Sequence, residues 1–504
     1  MLAIKNNSTR FLIVAIAGGL LVCGFAPYAY WWLTLLCPAI LYVLLKDIVP
    51  KNAFQLGLLF GLLFFGFGVP WTYNSIHEYG HAPVILSAFI AGLFIVVLAL
   101  FPALSAYIYS KIHCNTKYDL ISVLAFSAIW TVFEWVRSWI LTGFPWLLLG
   151  HAHHSSPIKG IIPIFGTYGA TWVTLLISGF VAVLILGRFN QKIYSGISLA
   201  FIVLTHIVIN QITWTHAMDE ELSVALIQGN IPQEMKWDQT KHPYIMEKYK
   251  VMSEDYFDMD IIVWPETAIP TYYSMVKDTF IKTLKDETKN RNAEFLIGVF
   301  TFDADSGNVY NSVMTVGENL NFYRKKHLVP FGEYIPLRGI TTFFENYIKV
   351  PMADLSRGKG RPLVKLSKYP VGTSICYESV YGNGIIESMP EANILINVSN
   401  DAWFGDSSAP HQHLEISRSR SIETGRYLLR ATNTGISAVI DPAGSIINKS
   451  AQFQEDVISA KISPYTGLTP FSRWGNWGIV TILFGIFFII CLFNWRYKSS
   501  IDKQ

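Results

Sequence analysis

With 504 residues, 51% of them hydrophobic and only 15% charged, the chain is too apolar for an ordinary water-soluble protein, and its mean hydropathy of +0.34 says the same. The formal net charge of +3 is small for this length and no Lys/Arg-rich run carries interleaved aromatics, which sets nucleic-acid binding aside. Of the five cysteines, Cys23, Cys37, Cys114 and Cys491 lie in or beside apolar runs, so Cys376 stands alone in the polar portion and no disulfide framework is possible there.

In chain order, apolar runs of spanning length fall at about 11–27, 30–46, 54–72, 83–109, 120–141, 161–186, 194–213 and 475–495, each near the roughly 20 residues a bilayer requires. They predict eight transmembrane helices. The first follows Lys5 and Arg10 with no small-residue cleavage site after it, and reads as a retained anchor. If the spans alternate, Lys46, Lys51, Lys111, Lys117, Arg188, Lys192, Arg496, Lys498 and Lys503 share the side of Lys5 and Arg10. The opposite short loops hold Lys159, with Arg137 at a span end. The positive-inside rule then makes both termini cytoplasmic and puts 214–474 outside, in the periplasm of a bacterial inner membrane. Glycines 57, 61, 66 and 68 on the third run read as helix-packing spots.

The expected domains are therefore 1–213 with seven transmembrane helices, 214–474 as a periplasmic domain, and 475–504 as the eighth helix with a cytoplasmic tail. Within 214–474, short β-branched runs at 223–226, 261–264, 295–300, 371–375 and 394–398 alternate with helical patterns near 241–257, 275–289 and 411–430, which predicts an α/β fold.

Three apolar strands of that domain end in polar groups, where α/β sites usually lie. Ile261–Trp264 stops at Pro265 and delivers Glu266, a candidate general base or else a solvated turn residue. In the segment 323–334, Lys325 can supply a fixed charge to a developing oxyanion, with Glu333 eight residues on to hold it; the plainer alternative is a basic surface strand and loop. Residues 371–375 end at Cys376, followed by Tyr377 and Glu378. A thiol at a strand end can present its sulfur to a pocket, and its ordinary pKa of about 8.5 calls for a base to activate it. A small buried hydrophobe is the other fate open to a lone cysteine.

Together, Trp264-Pro265-Glu266-Thr267, the segment from Tyr323 to Glu333, and Ser374-Ile375-Cys376-Tyr377-Glu378 resemble the nitrilase superfamily, over most of 220–460. The resemblance implies an αββα sandwich with Glu266 as general base, Lys325 as oxyanion-stabilising cation and Cys376 as nucleophile. Phe25-Ala26-Pro27-Tyr28, Glu134-Trp135-Val136-Arg137 and Thr142-Gly143-Phe144-Pro145-Trp146 narrow it to the apolipoprotein N-acyltransferases, which join such a domain to eight spans. That family implies a membrane phospholipid as acyl donor and a diacylated apolipoprotein as acceptor. It also carries in Trp237, Glu333, Tyr377 and Glu378 as supporting or substrate-binding residues, together with Gln228-Gly229-Asn230 and the segment 400–405. Glu134 and Arg137, at i, i+3 near a span end, are read either as substrate contacts or as an ion pair that pins two helices.

No metal and no cofactor is called for: His151, His153, His154, His411 and His413 lack Cys or carboxylate partners at ligand spacing. The sequon at Asn397 lies in an apolar strand, the wrong context for a glycan. Two other functions fit part of the pattern. A membrane-anchored amidase would use the same three residues with water as acceptor. A transporter or receptor would place ionisable groups deep in several spans, and the chain shows essentially none away from their ends.

Overall fold

The computed structural model describes residues 7–112, 120–335, 354–366 and 368–501; the expectations placed on Lys5, Cys114, Lys117 and Lys503 fall outside them. The chain divides into two compact units. One comprises Met1–Tyr73, Ile85–Ile212 and Trp474–Gln504, and the other Asn74–Val84 with Thr213–Arg473.

The first unit is helical. Among the described residues six helices are long and apolar enough to cross a membrane: Asn7–Gly24, Pro50–Gly68, Val84–Ile112, Leu120–Arg137, Pro157–Leu186 and Phe189–Ile209. Of the other two expected runs, one falls on the shorter apolar helix Leu33–Leu44 and the other on the 25-residue helix Trp477–Ile501. At 1.5 Å per residue, Leu33–Leu44 reaches about 18 Å, short of a hydrocarbon core of about 30 Å. Its start is lost because residues 31 and 32 form a turn. Small residues bring helices together where the pattern predicts: a Cβ on Gly57 would stand 2.6 Å from Pro102 O, and one on Gly61 2.8 Å from Ala99 Cα. Gly66 has nothing within 4 Å and serves no such contact.

Besides the two-stranded pair Thr215–Ala217 and Tyr465–Gly467, the second unit is built on two large sheets. One runs in the spatial order Asp456–Ile462, Leu222–Gln228, Ile261–Val263, Glu294–Asp303, Asn308–Val316, Phe322–Arg324, with Ile269–Tyr272 also paired to Glu294–Asp303. The other runs Ile446–Lys449, Ala438–Ile440, Leu428–Thr432, Ile394–Ser399, Pro370–Ile375, Leu363–Lys365. Side chains alternate faces along a strand, so Val224 and Leu226 point inward and meet Val371, Ile375, Ile396 and Val398 of the opposite sheet. Their neighbours Ala225 and Ile227 point outward and are covered by Ile245 and Tyr249 of helix His242–Ser253 and by Leu284 of Phe280–Thr288. On the other outer face Leu395, Leu428 and Ile440 pack on Leu414 of helix Ala409–Thr424 and Ile385 of Gly382–Ile386. The result is the expected αββα sandwich.

Every predicted strand is present. The helix predicted over 411–430 is too long, because Gly425 takes a left-handed conformation with φ of 63° and ends it, after which Leu428–Thr432 is a strand.

Candidate active site

Strand Ile261–Val263 lies in the middle of its sheet, and the turn after it carries Glu266. The turn is tight: Thr267 sits at φ of 50°, unusual for a β-branched residue. It also lies directly against the backbone of Gly298, where a Cβ would stand 2.4 Å from Pro265 O and 2.6 Å from Thr267 N. Only glycine at 298 leaves room for the base to be delivered there.

Lys325 follows strand Phe322–Arg324, which pairs with Asn308–Val316, and its own N–H donates to Asn311 O at 2.8 Å. Its side chain is 1% exposed and its Nζ lies 2.8 Å from Glu333 Oε1 and 3.4 Å from Glu266 Oε1. Asn311 Nδ2 joins the same two carboxylates, donating to Glu266 Oε1 at 2.8 Å and to Glu333 Oε1 at 3.1 Å. Val329 N donates to Glu333 Oε2 at 2.8 Å. Burial works against the Lys325 ammonium, but Glu333, Glu266 and Cys376 outweigh it and hold its pKa above the usual lysine range. The cation is therefore permanent at any physiological pH.

Cys376 closes strand Pro370–Ile375 and opens the short helical turn Cys376–Val380, at φ of 52°. The thiol is buried, and burial together with Glu266 pushes its pKa up to about 12 against the pull of Lys325. A resting thiol of this kind is protonated, and a base must take its proton before it can act as a nucleophile.

The residues after the cysteine have separate tasks. Glu378 is buried and accepts from Tyr323 Oη at 2.8 Å, Lys326 N at 2.7 Å and His327 N at 3.0 Å, while its other oxygen accepts Ile375 N at 2.8 Å. It ties the turn of the thiol to the segment that carries Lys325, and burial raises its pKa. Tyr377 packs its ring 5.5 Å from Tyr381 and 5.9 Å from His327. Trp237 ends the five-residue helix Gln233–Trp237 and is 39% exposed, an indole offered to the surroundings of the unit.

Glu134 and Arg137 belong to the helical unit, buried near the end of helix Leu120–Arg137. Glu134 accepts from Trp130 Nε1 at 3.1 Å, Leu149 N at 3.2 Å and Thr171 Oγ1 at 2.8 Å. Arg137 Nη1 donates to Phe144 O at 2.9 Å and Trp146 O at 2.6 Å, and its guanidinium lies over the Phe65 ring. Both line an aromatic cavity with Phe64, Trp130 and Phe133. Their contacts cross-link helices and loops of that unit.

Sequence reasoning missed three contributors. Asn311 left a faint signal, an amide in the middle of the strand Asn308–Val316. Lys236 left none beyond its place beside Trp237. The third is Arg430, in a buried cluster behind the thiol around Asp401 of the 400–405 segment, where Asp401 accepts from Arg430 at 2.8 Å, His413 at 3.0 Å and Ser399 at 2.9 Å, and His413 Nε2 meets Ser379 Oγ at 2.9 Å. Asn397, in that same sheet, donates to Cys376 O at 3.4 Å; it is fully buried, so its sequon is closed to a glycan. Gln228 accepts from Ser437 and Ser450, both at 2.7 Å, and acts as a bridge between strands.

Two family models match this sequence. The model of the apolipoprotein N-acyltransferase N-terminal domain covers residues 17–180, and that of carbon-nitrogen hydrolase covers 223–471. Among curated proteins, the apolipoprotein N-acyltransferase of Methylococcus capsulatus is 36% identical over 494 residues, 97% of each chain. That of Coxiella burnetii is 37% identical over 484 residues, 96% of this chain and 99% of its own. That of Nitrosomonas europaea is 35% identical over 502 residues, 98% of this chain and all of its own.

Proposed function

The chain belongs to the apolipoprotein N-acyltransferase family, and on that footing we propose that it moves an acyl chain from a membrane phospholipid, through a thioester on Cys376, to the α-amino group of a lipoprotein's diacylglyceryl-cysteine. It is an acyltransferase that N-acylates lipoproteins and a multi-pass bacterial membrane protein. The finer assignments are part of the proposal: eight crossings, seven of them in 1–213 and the last in 475–504, both termini cytoplasmic, and 214–474 as a periplasmic catalytic domain.

One observation supports the mechanism above the others. A protonated, buried thiol shares a site with a carboxylate and a lysine that act on it with opposite sign. In the first half-reaction Glu266 takes the thiol proton as Sγ attacks the ester carbonyl, and Lys325 holds the oxyanion. Collapse breaks the ester C–O bond, and Glu266 returns the proton to the departing glycerol oxygen. A thioester and a lysophospholipid result. In the second half-reaction the amine attacks the thioester, Glu266 accepts the ammonium proton, and the C–S bond breaks. Cys376 leaves as thiolate and recovers the proton from Glu266. Glu333 and Asn311 keep Lys325 and Glu266 in register throughout.

A bilayer is required because drawing a 16-carbon chain into water costs on the order of 12 kcal/mol at about 0.8 kcal/mol per CH₂. The reading is tested by giving the detergent-purified full chain a phospholipid and a diacylated lipopeptide. Conversion to the triacylated lipopeptide with matching lysophospholipid is expected, and hydrolysis without transfer would overturn it. For the orientation, an alkaline phosphatase fusion after about residue 300 should be active, and a cytoplasmic reporter active there would contradict it.

A further inference from the structure

The mechanism gives no role to Lys236, a buried cation beside its general base. The Lys236 side chain is 1% exposed, among the most deeply buried in the protein. Its Nζ donates to the backbone carbonyl of Glu266 at 3.1 Å and to Thr267 Oγ1 at 3.1 Å. Among the described residues no carboxylate lies within ion-pair distance of it. A charge removed from water without a close counter-ion is held only where the surroundings favour it, and here its two acceptors are the general base's own carbonyl and the hydroxyl of the next residue. Thr267 carries the strained left-handed backbone of the turn, so the lysine grips the point that most resists its conformation.

The segment that bears Lys236 is fastened at both ends. Gln233 Oε1 accepts from Asn400 Nδ2 at 2.8 Å, just ahead of Asp401 at the end of strand Ile394–Ser399. His242 Nε2 lies 3.1 Å from Lys236 O. Trp237, the next residue, is the exposed indole. Five residues thus connect the base turn of one sheet, a strand end of the other, and a side chain presented outward.

We propose that Lys236 is a positioning residue and the second cation of the site, which fixes the turn of Glu266, sets a second positive charge beside it, and couples it to the segment presenting Trp237. The inference rests on the reading of Glu266 as the general base. With Lys236 charged, two ammoniums balance the two carboxylates Glu266 and Glu333; without it, both carboxylates share Lys325 alone. Burial lowers the Lys236 pKa to about 8 against the pull of Glu266, so the second charge is present through neutral pH and is given up on the alkaline side. Glu266 is faced by Lys325, Asn311 and Cys376, with Glu333 beyond Lys325; the Lys236 ammonium is faced by the Glu266–Thr267 turn, and His242 meets the Lys236 backbone carbonyl.

The test reads Cys376 itself and needs no lipid. The detergent-purified full chain, as wild type, Lys236→Arg, Lys236→Met and Glu266→Gln, is treated with iodoacetamide from pH 4.5 to 9, and the rate is followed by mass spectrometry of the Cys376 peptide. Thermal unfolding is measured alongside. Wild type and Lys236→Arg should share one acid limb. Lys236→Met should move that limb up by about one pH unit, the low end for loss of a nearby opposite charge, making alkylation roughly tenfold slower below it. Lys236→Gln, which keeps a donor for the two acceptors, replaces Lys236→Met if the latter fails to fold. A neutral variant whose limb coincides with wild type while its melting temperature falls would overturn the inference and leave Lys236 a space-filling residue. An acid limb that survives in Glu266→Gln would overturn the base assignment instead.

Discussion

Replacing Lys325 by methionine removes the charge and keeps the volume, and the structure says what should follow. The ammonium lies 2.8 Å from Glu333 and 3.4 Å from Glu266, with all three side chains buried and Asn311 joining the two carboxylates. Breaking a buried pair by removing one partner costs about 3–5 kcal/mol, because an uncompensated charge remains. Here two carboxylates would be left facing each other, and they would relieve the repulsion by sharing a proton. At roughly 2–4 °C per kcal/mol for a domain of this size, melting should fall by about 10 °C. Loss of one preorganised oxyanion contact removes about 2.7–4 kcal/mol of transition-state stabilisation, so turnover should drop a hundredfold or more. The double variant Lys325→Met/Glu333→Gln separates the two effects. It removes the surplus negative charge, so melting should recover while turnover stays low. Lys326→Met is the control, since Lys326 pairs with half-exposed Glu387 at the surface and such a pair contributes at most about 1 kcal/mol. Recovery of turnover in the double variant, or equal damage from Lys326→Met, would refute the assignment of Lys325 to the oxyanion.

Other residues give equally definite expectations. Gly298→Ala would bring a methyl within 2.4 Å of Pro265 O and 2.8 Å of Glu266 Cα; turnover should fall on the order of a hundredfold, as for a catalytic group displaced by about 1 Å, with circular dichroism showing a folded protein. Glu378→Gln turns an amide toward some of the four donors that now meet a carboxylate. It should cost about 1–3 kcal/mol and slow the first half-reaction, measured by lysophospholipid release. Burial favours protonation of Asp401, but Arg430, His413 and Ser399 outweigh it and hold the carboxyl well below the ordinary value of about 3.8. Its contribution to stability is therefore complete above that value and is lost as pH falls toward the folded one. Asp401→Asn should be less stable than wild type at pH 7, and the gap should narrow on acidification below about pH 4 in a melting series.

How much of this was legible in the sequence depended on how local the cause was. The strands ending at Glu266 and Cys376 announce themselves, because an apolar β-branched run that stops at a polar group is a local pattern. The helix over 411–430 overruns because Tyr427, Leu428 and Leu429 prolong the apolar pattern past Gly425, which supplies the stop. The second span was overdrawn because hydropathy counts Tyr30, Trp31 and Trp32 as apolar and is blind to the turn they enter. Lys236 could not be found at all. A lysine in a polar loop looks solvated, and its burial against Glu266 depends on contacts 30 residues away. Arg430 is likewise unremarkable in sequence and gains its meaning only once its strand meets Asp401 and the helix that carries His413.

The passage of the acyl group through Cys376 is the claim on which the rest depends, and it is tested by withholding the acceptor. Purified full-length protein incubated with phospholipid alone should release about one equivalent of lysophospholipid per enzyme and then stop, as expected of an acyl-enzyme that awaits its amine. Its intact mass should rise by one acyl group removable with hydroxylamine, and Cys376→Ala should abolish both signals. Continuous release would mean that water discharges the thioester and that the protein is a hydrolase. No gain in mass, with transfer still proceeding once a diacylated lipopeptide is added, would contradict the covalent mechanism and remove Cys376 from it.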